Sequence, residues 1–177
     1  GITIVSGTTS KGKIHFADGT SGDASYRGYI FYDHNSDAGM GFGVGTTTRF
    51  KLDSNSRISL SNNDGGSANT IFGYLAGNSI ESGGTDHTCF GYESGKDLTT
   101  GDLNTLLGAK SGENINTGQN NVAVGSLSMI NATTASSNVS IGMQSMGSGV
   151  ATGSENVGIG KDSLYDMTSA SGVVAVG

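Results

Sequence analysis

The chain has 177 residues, 31 of them glycine and none proline or tryptophan, with 34% hydrophobic and 14% charged residues. So little apolar surface barely offsets the conformational entropy lost on folding, so a sequence of this composition folds only if its residues are regularly patterned. The net charge of −6 lies in residues 65–177, which hold three Lys/Arg against nine Asp/Glu, whereas residues 1–64 balance six against six; an acidic surface is repelled by phosphate backbones and anionic lipid, which argues against nucleic-acid and membrane-surface partners. One cysteine, Cys89, excludes a disulfide within the chain, and the absence of a run of about 18 apolar residues argues against membrane insertion.

Residues 1–64 contain short strand-like runs at Lys13–Ala17, Gly28–Asp33, Gly41–Val44, Arg49–Asp53 and Arg57–Leu60. Turn clusters such as Ala17-Asp18-Gly19 and Asp53-Ser54-Asn55-Ser56 separate them, and several alternate apolar with polar residues. The pattern predicts an antiparallel meander. Five short strands make a sheet too small to be secure alone, which favours assembly with other copies.

Residues 65–177 carry an internal repeat. Glycines recur at Gly73, Gly91, Gly108, Gly125, Gly142, Gly160 and Gly177, spaced by 17 or 18 residues. One place before each stand Phe72, Phe90, Leu107, Val124, Ile141, Ile159 and Val176, and three places before it Thr70, Thr88, Thr105, Val122, Val139, Val157 and Val174. These two columns share a face of an extended strand, and β-branching suits that conformation. Their size predicts that they fill the inside of each unit. The column between them, Ile71, Cys89, Leu106, Ala123, Ser140, Gly158 and Ala175, is uncharged throughout, and is expected to be buried against another copy of the chain.

Four places before the glycine come Asn69, Asn104, Asn121, Asn138 and Asn156, with His87 and Val173 as exceptions. Asparagine there suits a turn, since it bonds nearby backbone and tolerates left-handed dihedrals. Three places after the glycine the residue is small, Ala76 or Ser94, Ser111, Ser128, Ser145 and Ser163, followed by Gly77, Gly95, Gly112, Met129, Met146 or Leu164. This run predicts a second strand with a larger inward residue in the later units. The pairs Thr100-Gly101, Thr117-Gly118, Thr134-Ala135 and Thr152-Gly153 mark the return turn. Two strands and two turns make one coil of a small parallel β-solenoid. Coils stacked at about 4.8 Å give a rod on the order of 30 Å long. Such a thin coil holds little core, so a homotrimer is expected.

Two resemblances lie on these residues. The segment from Gly12-Lys13-Ile14-His15-Phe16-Ala17-Asp18-Gly19 through Tyr26–His34 to Arg49–Ile58 resembles a module common in tail fibres of marine phages, cyanophages included. In that family the module often precedes repeats and a self-trimming C-terminal intramolecular chaperone. The pattern Asn-x-x-[Val/Ile]-Gly, as in Asn121-Val122-Ala123-Val124-Gly125, resembles the head repeats of trimeric autotransporter adhesins, left-handed parallel β-rolls wound as trimers. The units here are longer than the usual adhesin repeat. The sequence stops in mid-unit at Val174-Ala175-Val176-Gly177, from which a longer parent chain is expected.

Asp33-His34 with Asp37, and Asp86-His87 beside Cys89, lack the usual metal-ligand spacings, and His87 and Cys89 already belong to structural columns. No Gly-x-Ser-x-Gly elbow occurs. The acids Glu81, Glu93, Asp97, Asp102 and Glu113 are scattered over the turns and read as solvating charges rather than a facing glycosidase pair. No catalytic, metal or cofactor-binding residue is therefore expected.

The reading is an all-β chain: a short antiparallel β-meander over 1–64, then a parallel β-solenoid of 17–18-residue coils over 65–177, assembled as a fibrous homotrimer. The expected role is a structural and adhesive segment of a bacteriophage tail fibre, extracellular on the virion, meeting other virion tail proteins and a host outer-surface glycan or protein receptor. The alternatives are a bacterial trimeric surface adhesin and, from another class, a polysaccharide-degrading tailspike.

Overall fold

The computed structural model describes residues 3–7, 9–17, 19, 21–22, 27–34, 39–45, 47–53, 58–60, 66–148 and 152–177. The chain is all-β and divides into two compact units, Gly1–Asn62 and Asn63–Gly177. The clusters around Asp18, Tyr26, Asp37 and Ser54–Ser56 lie outside the described residues.

In the first unit β1 (Lys11–Phe16), β2 (Gly28–Asp33), β3 (Gly39–Val44), β4 (Thr47–Asp53) and β5 (Ile58–Leu60) pair in chain order as one antiparallel sheet. The predicted meander is present, with β1, β3 and β4 each beginning two residues earlier than their sequence patterns suggested. The glycines of β3 explain part of that difference, because a Gly-rich run reads poorly as a strand. Here it seats aromatic rings: a Cβ at Gly43 would collide with the Tyr29 ring, and one at Gly41 would lie 2.5 Å from Phe31 Cε1. Lys11 and Lys13 place their ammonium groups 5.0 Å above the Phe31 and Tyr29 rings, and Lys11 also pairs with Asp33 at 3.2 Å. The other face is apolar and open, carrying Ile14, Phe16, Tyr32, Met40, Phe42 and Val44.

The second unit is a parallel β-solenoid. Its seven strands, β6 (Thr70–Phe72), β7 (Thr88–Phe90), β8 (Thr105–Leu107), β9 (Val122–Val124), β10 (Val139–Ile141), β11 (Val157–Ile159) and β12 (Val174–Val176), stack in order, like residue on like residue. We number the coils 1 to 7 by these strands. The glycine closing each strand sits at a positive φ, and in coils 1 to 6 the next coil nearly touches it: at Gly91, φ 141°, a Cβ would meet the Gly108 carbonyl oxygen at 2.5 Å.

Three expectations need correction. First, each coil has one strand of three residues rather than two of about five. The opposite side is a run of turns, closed by bonds such as Ile115 N–H to the Gly112 carbonyl and joined to the next coil by bonds such as Gly112 N–H to the Ser128 carbonyl. Left-handed residues recur within it, as at Lys110 and Met129 (φ 58° and 51°).

Second, the two strand faces are the reverse of the prediction. The middle column points inward, with Cys89, Leu106, Ala123 and Ser140 fully buried, while the large flanking columns face out. Val139, expected inside, is half-buried on the outer face. Alternation identifies two faces but not which is the interior, and the lumen of so thin a coil accepts only the smaller set.

Third, the asparagines are not the left-handed turn residues. That conformation belongs to the residue before each one, Ala68, Leu103, Asn120, Ser137 and Glu155, and to Asp86 before His87. The asparagines instead form a ladder. Asn121 Oδ1 accepts from the Asn138 N–H (3.1 Å) and amide (3.2 Å), while its own amide donates to Asn104 Oδ1 (3.0 Å) and the Ala135 carbonyl (2.8 Å). Asn104, Asn121, Asn138 and Asn156 so bond the coils on either side, with their polar atoms satisfied in the interior.

The small column after the glycine is a second polar ladder. Ser94, Ser111, Ser128, Ser145 and Ser163 donate to the carbonyls of Leu106, Ala123, Ser140, Gly158 and Ala175 in the next coil, at 2.8–3.2 Å. Between the ladders runs a narrow apolar core including Ile80, Leu98, Leu106, Ile115, Met129 and Met146. The larger inward residue predicted for the later coils is present at Met129 and Met146.

Candidate interaction surface

The outer sheet face of the solenoid is built by the two flanking columns. All fourteen of their residues are apolar or threonine. Phe72, Phe90, Leu107, Ile141, Ile159, Val174 and Val176 are exposed, from 36% at Leu107 to 75% at Val176. Thr88, Thr105, Val122, Val139 and Val157 are half-buried. In coils 4 to 7 the face is wholly aliphatic; in coils 1 and 2 it carries the stacked pair Phe72–Phe90, with ring centroids 5.1 Å apart, and the adjoining stack Tyr74–Tyr92 at 5.9 Å. The molecule thus places hydrogen-bonding side chains inside and a flat apolar stripe outside. Stripes of this length on soluble proteins mark contact surfaces.

On the turn side, four charged groups from coils 2 and 3 meet. Lys110 Nζ lies 2.6 Å from Glu93 Oε2 and 2.9 Å from Glu113 Oε2, and Lys96 Nζ is 3.1 Å from Glu113 Oε1. Glu93 and Glu113 are buried, so they are not the solvating charges read from the sequence. The hydrogen bond from Lys110 holds the Glu93 carboxyl below its usual range, and the same bond raises Lys110. Tyr92 is raised by its hydrogen bond with Glu93. The network follows the repeat, for Glu93 and Lys110 hold one column and Lys96 and Glu113 another. That stacking of opposite charges at a spacing of 17 residues was the available signal.

The residues weighed for metal chemistry are dispersed. Asp33 pairs with Lys11, and the ring of His34 packs edge-on against Tyr32, with centroids 4.8 Å apart; Asp37 lies outside the described residues. His87 and Cys89 are enclosed in coil 2. Among the described residues no group of three His, Cys, Asp or Glu side chains gathers to hold an ion. No described helix is long and apolar enough to cross a membrane. Compared with protein-family models, curated proteins and solved structures, the chain matches none.

Proposed function

We propose that the chain is a structural and adhesive segment of a bacteriophage tail fibre, with three copies side by side around one axis and their outer sheet faces turned towards it. The observation that carries this reading is the apolar stripe along all seven strands. A compact partner would cover part of it, whereas a rod of the same length and about 4.8 Å repeat covers all of it, and another copy in parallel register is such a rod. Burial at about 25 cal/mol per Å² then supplies stabilisation that the polar interior does not. The resemblance of Gly12–Ile58 to phage tail-fibre modules supports the virion assignment. In this reading the solenoid lends length and stiffness, and the turns face the host outer-surface glycan or protein.

A second reading, a bacterial surface adhesin, is favoured by the Asn-x-x-[Val/Ile]-Gly pattern. The deciding experiment is electron microscopy with an antiserum raised against the segment, applied to particles and cells of its source. Decorated tail fibres are expected; labelling confined to the cell envelope would give the adhesin reading instead. Incubation of the protein with bacterial capsule or lipopolysaccharide is expected to release no reducing ends, and their appearance would point to a tailspike enzyme.

A further inference from the structure

Each coil continues its outward pattern one step beyond the strand at both ends, and the two rows so formed differ in charge. Five places before the glycine the row runs from Ala68 to Gly172, and its charges are Asp86 and Glu155. One place after the glycine it runs from Tyr74 to Lys161, whose ammonium is the single charge of that row. Every residue of both rows is exposed. Bonds between coils hold each row in step, as from the Glu155 N–H to the Ser136 carbonyl on one side and from the Asp162 N–H to the Met143 carbonyl on the other. The apolar stripe is thus bordered by acids on one side and by a lysine on the other.

The stripe alone does not fix how copies align along the rod. In coils 4 to 7 its two columns hold only valine and isoleucine, so sliding a copy by one coil sets like on like again. The borders do fix it. With parallel copies whose sheet faces turn to one axis, rotation about that axis brings the later border of one copy beside the earlier border of the next, at the same height. In coil 6 this puts Lys161 beside Glu155 of the neighbouring copy. A slide of one coil exchanges that Glu155 for Ser137 or Gly172. Turning one copy end for end about coil 4 sets Glu155 against Asp86, two like charges. Within its own chain Lys161 Nζ lies 3.3 Å from Asp162 Oδ2, with the two side chains 64% and 45% exposed. That pair is open to water and leaves the ammonium further donors.

We infer that Lys161 and Glu155 of adjacent copies form an interchain ion pair that sets parallel, in-register assembly, repeated at each contact around the axis. The inference rests on the three-chain reading of the stripe and adds its alignment. Burial of the stripe supplies the attraction, and the pair selects one alignment among several of nearly equal apolar contact.

The test is carbodiimide coupling of the parent protein, which joins an amine to a carboxylate in contact with it, followed by denaturing electrophoresis and peptide mapping. Chains linked in twos and threes through Lys161 and Glu155 are expected, and Lys161→Gln should lose that link. Sedimentation of the same sample separates two ways to fail. A parent of three chains in which Lys161 couples only to Asp162 would overturn the pairing and leave the trimer standing, whereas a monomeric parent would overturn both. Charge exchange gives a second readout. Lys161→Glu and Glu155→Lys should each raise several-fold the concentration at which half the chains assemble, and the double variant should return it towards the parent. A double variant as weak as the single ones would count against the pair.

Discussion

Leu103 occupies a left-handed position, φ 58°, and is 52% exposed, whereas the same place in coil 4 holds Asn120 at the same φ. Left-handed dihedrals cost most residues about 1–2 kcal/mol, and asparagine less. Leu103→Asn should therefore stabilise the solenoid by up to about 1 kcal/mol, read as a higher Tm; no change or a loss would mean that the leucine side chain makes contacts that outweigh its strain. Lys110 offers a second test. Its bond holds the Glu93 carboxyl below the ordinary value of 4.5, so this contribution is present above that pH and is lost as pH falls through the folded value. Lys110→Met should melt below the parent at pH 7, with the gap closing below pH 4.5 as Glu93 protonates. A gap independent of pH would assign the loss to the packing of the lysine side chain, whose Nζ lies 5.8 Å from the centre of the Tyr92 ring.

Within each coil, the inward strand residue and the residues on the turn side trade volume. Coil 3 holds Leu106, Gly112 and Ile115, and a Cβ at Gly112 would lie 2.8 Å from methyls of both neighbours. Coil 4 holds Ala123, Met129 and Ala132 at the same places, all buried. Gly112→Met alone overpacks coil 3, a cost of about 1–3 kcal/mol, and Leu106→Ala alone opens a cavity costing about 2–5 kcal/mol. The triple variant Leu106→Ala/Gly112→Met/Ile115→Ala carries the coil 4 set, so its destabilisation should be well below the sum of the single changes, which denaturant melts would measure. Additive losses would show that the coils do not exchange their cores. The period, the columns and the one strand of each coil were legible before the structure, whereas the second strand expected in each coil is a run of turns. The inward face was not legible, because alternation does not distinguish a lumen from an outer wall. The serine and asparagine ladders were visible as columns, but their bonds join residues 12–18 positions apart and no local pattern records them.

For the whole molecule, an interior of hydrogen-bonded ladders beneath an exposed aliphatic sheet is an arrangement suited to assembly. A charge placed on the outer face discriminates this arrangement from a self-sufficient monomer. Ile141 is 38% exposed in the single chain, where Ile141→Asp would be solvated and nearly harmless. At an interface the same carboxylate would be buried opposite its copies, costing several kcal/mol or forcing protonation. Ser137, exposed in the turn two residues before the strand, is the control: Ser137→Asp should change stability by no more than about 0.5 kcal/mol. Sedimentation equilibrium tests the claim most directly. The parent and Ser137→Asp should sediment as three chains at micromolar concentration, and Ile141→Asp as one chain or as aggregate. A parent that sediments as a stable, well-dispersed monomer would contradict the account.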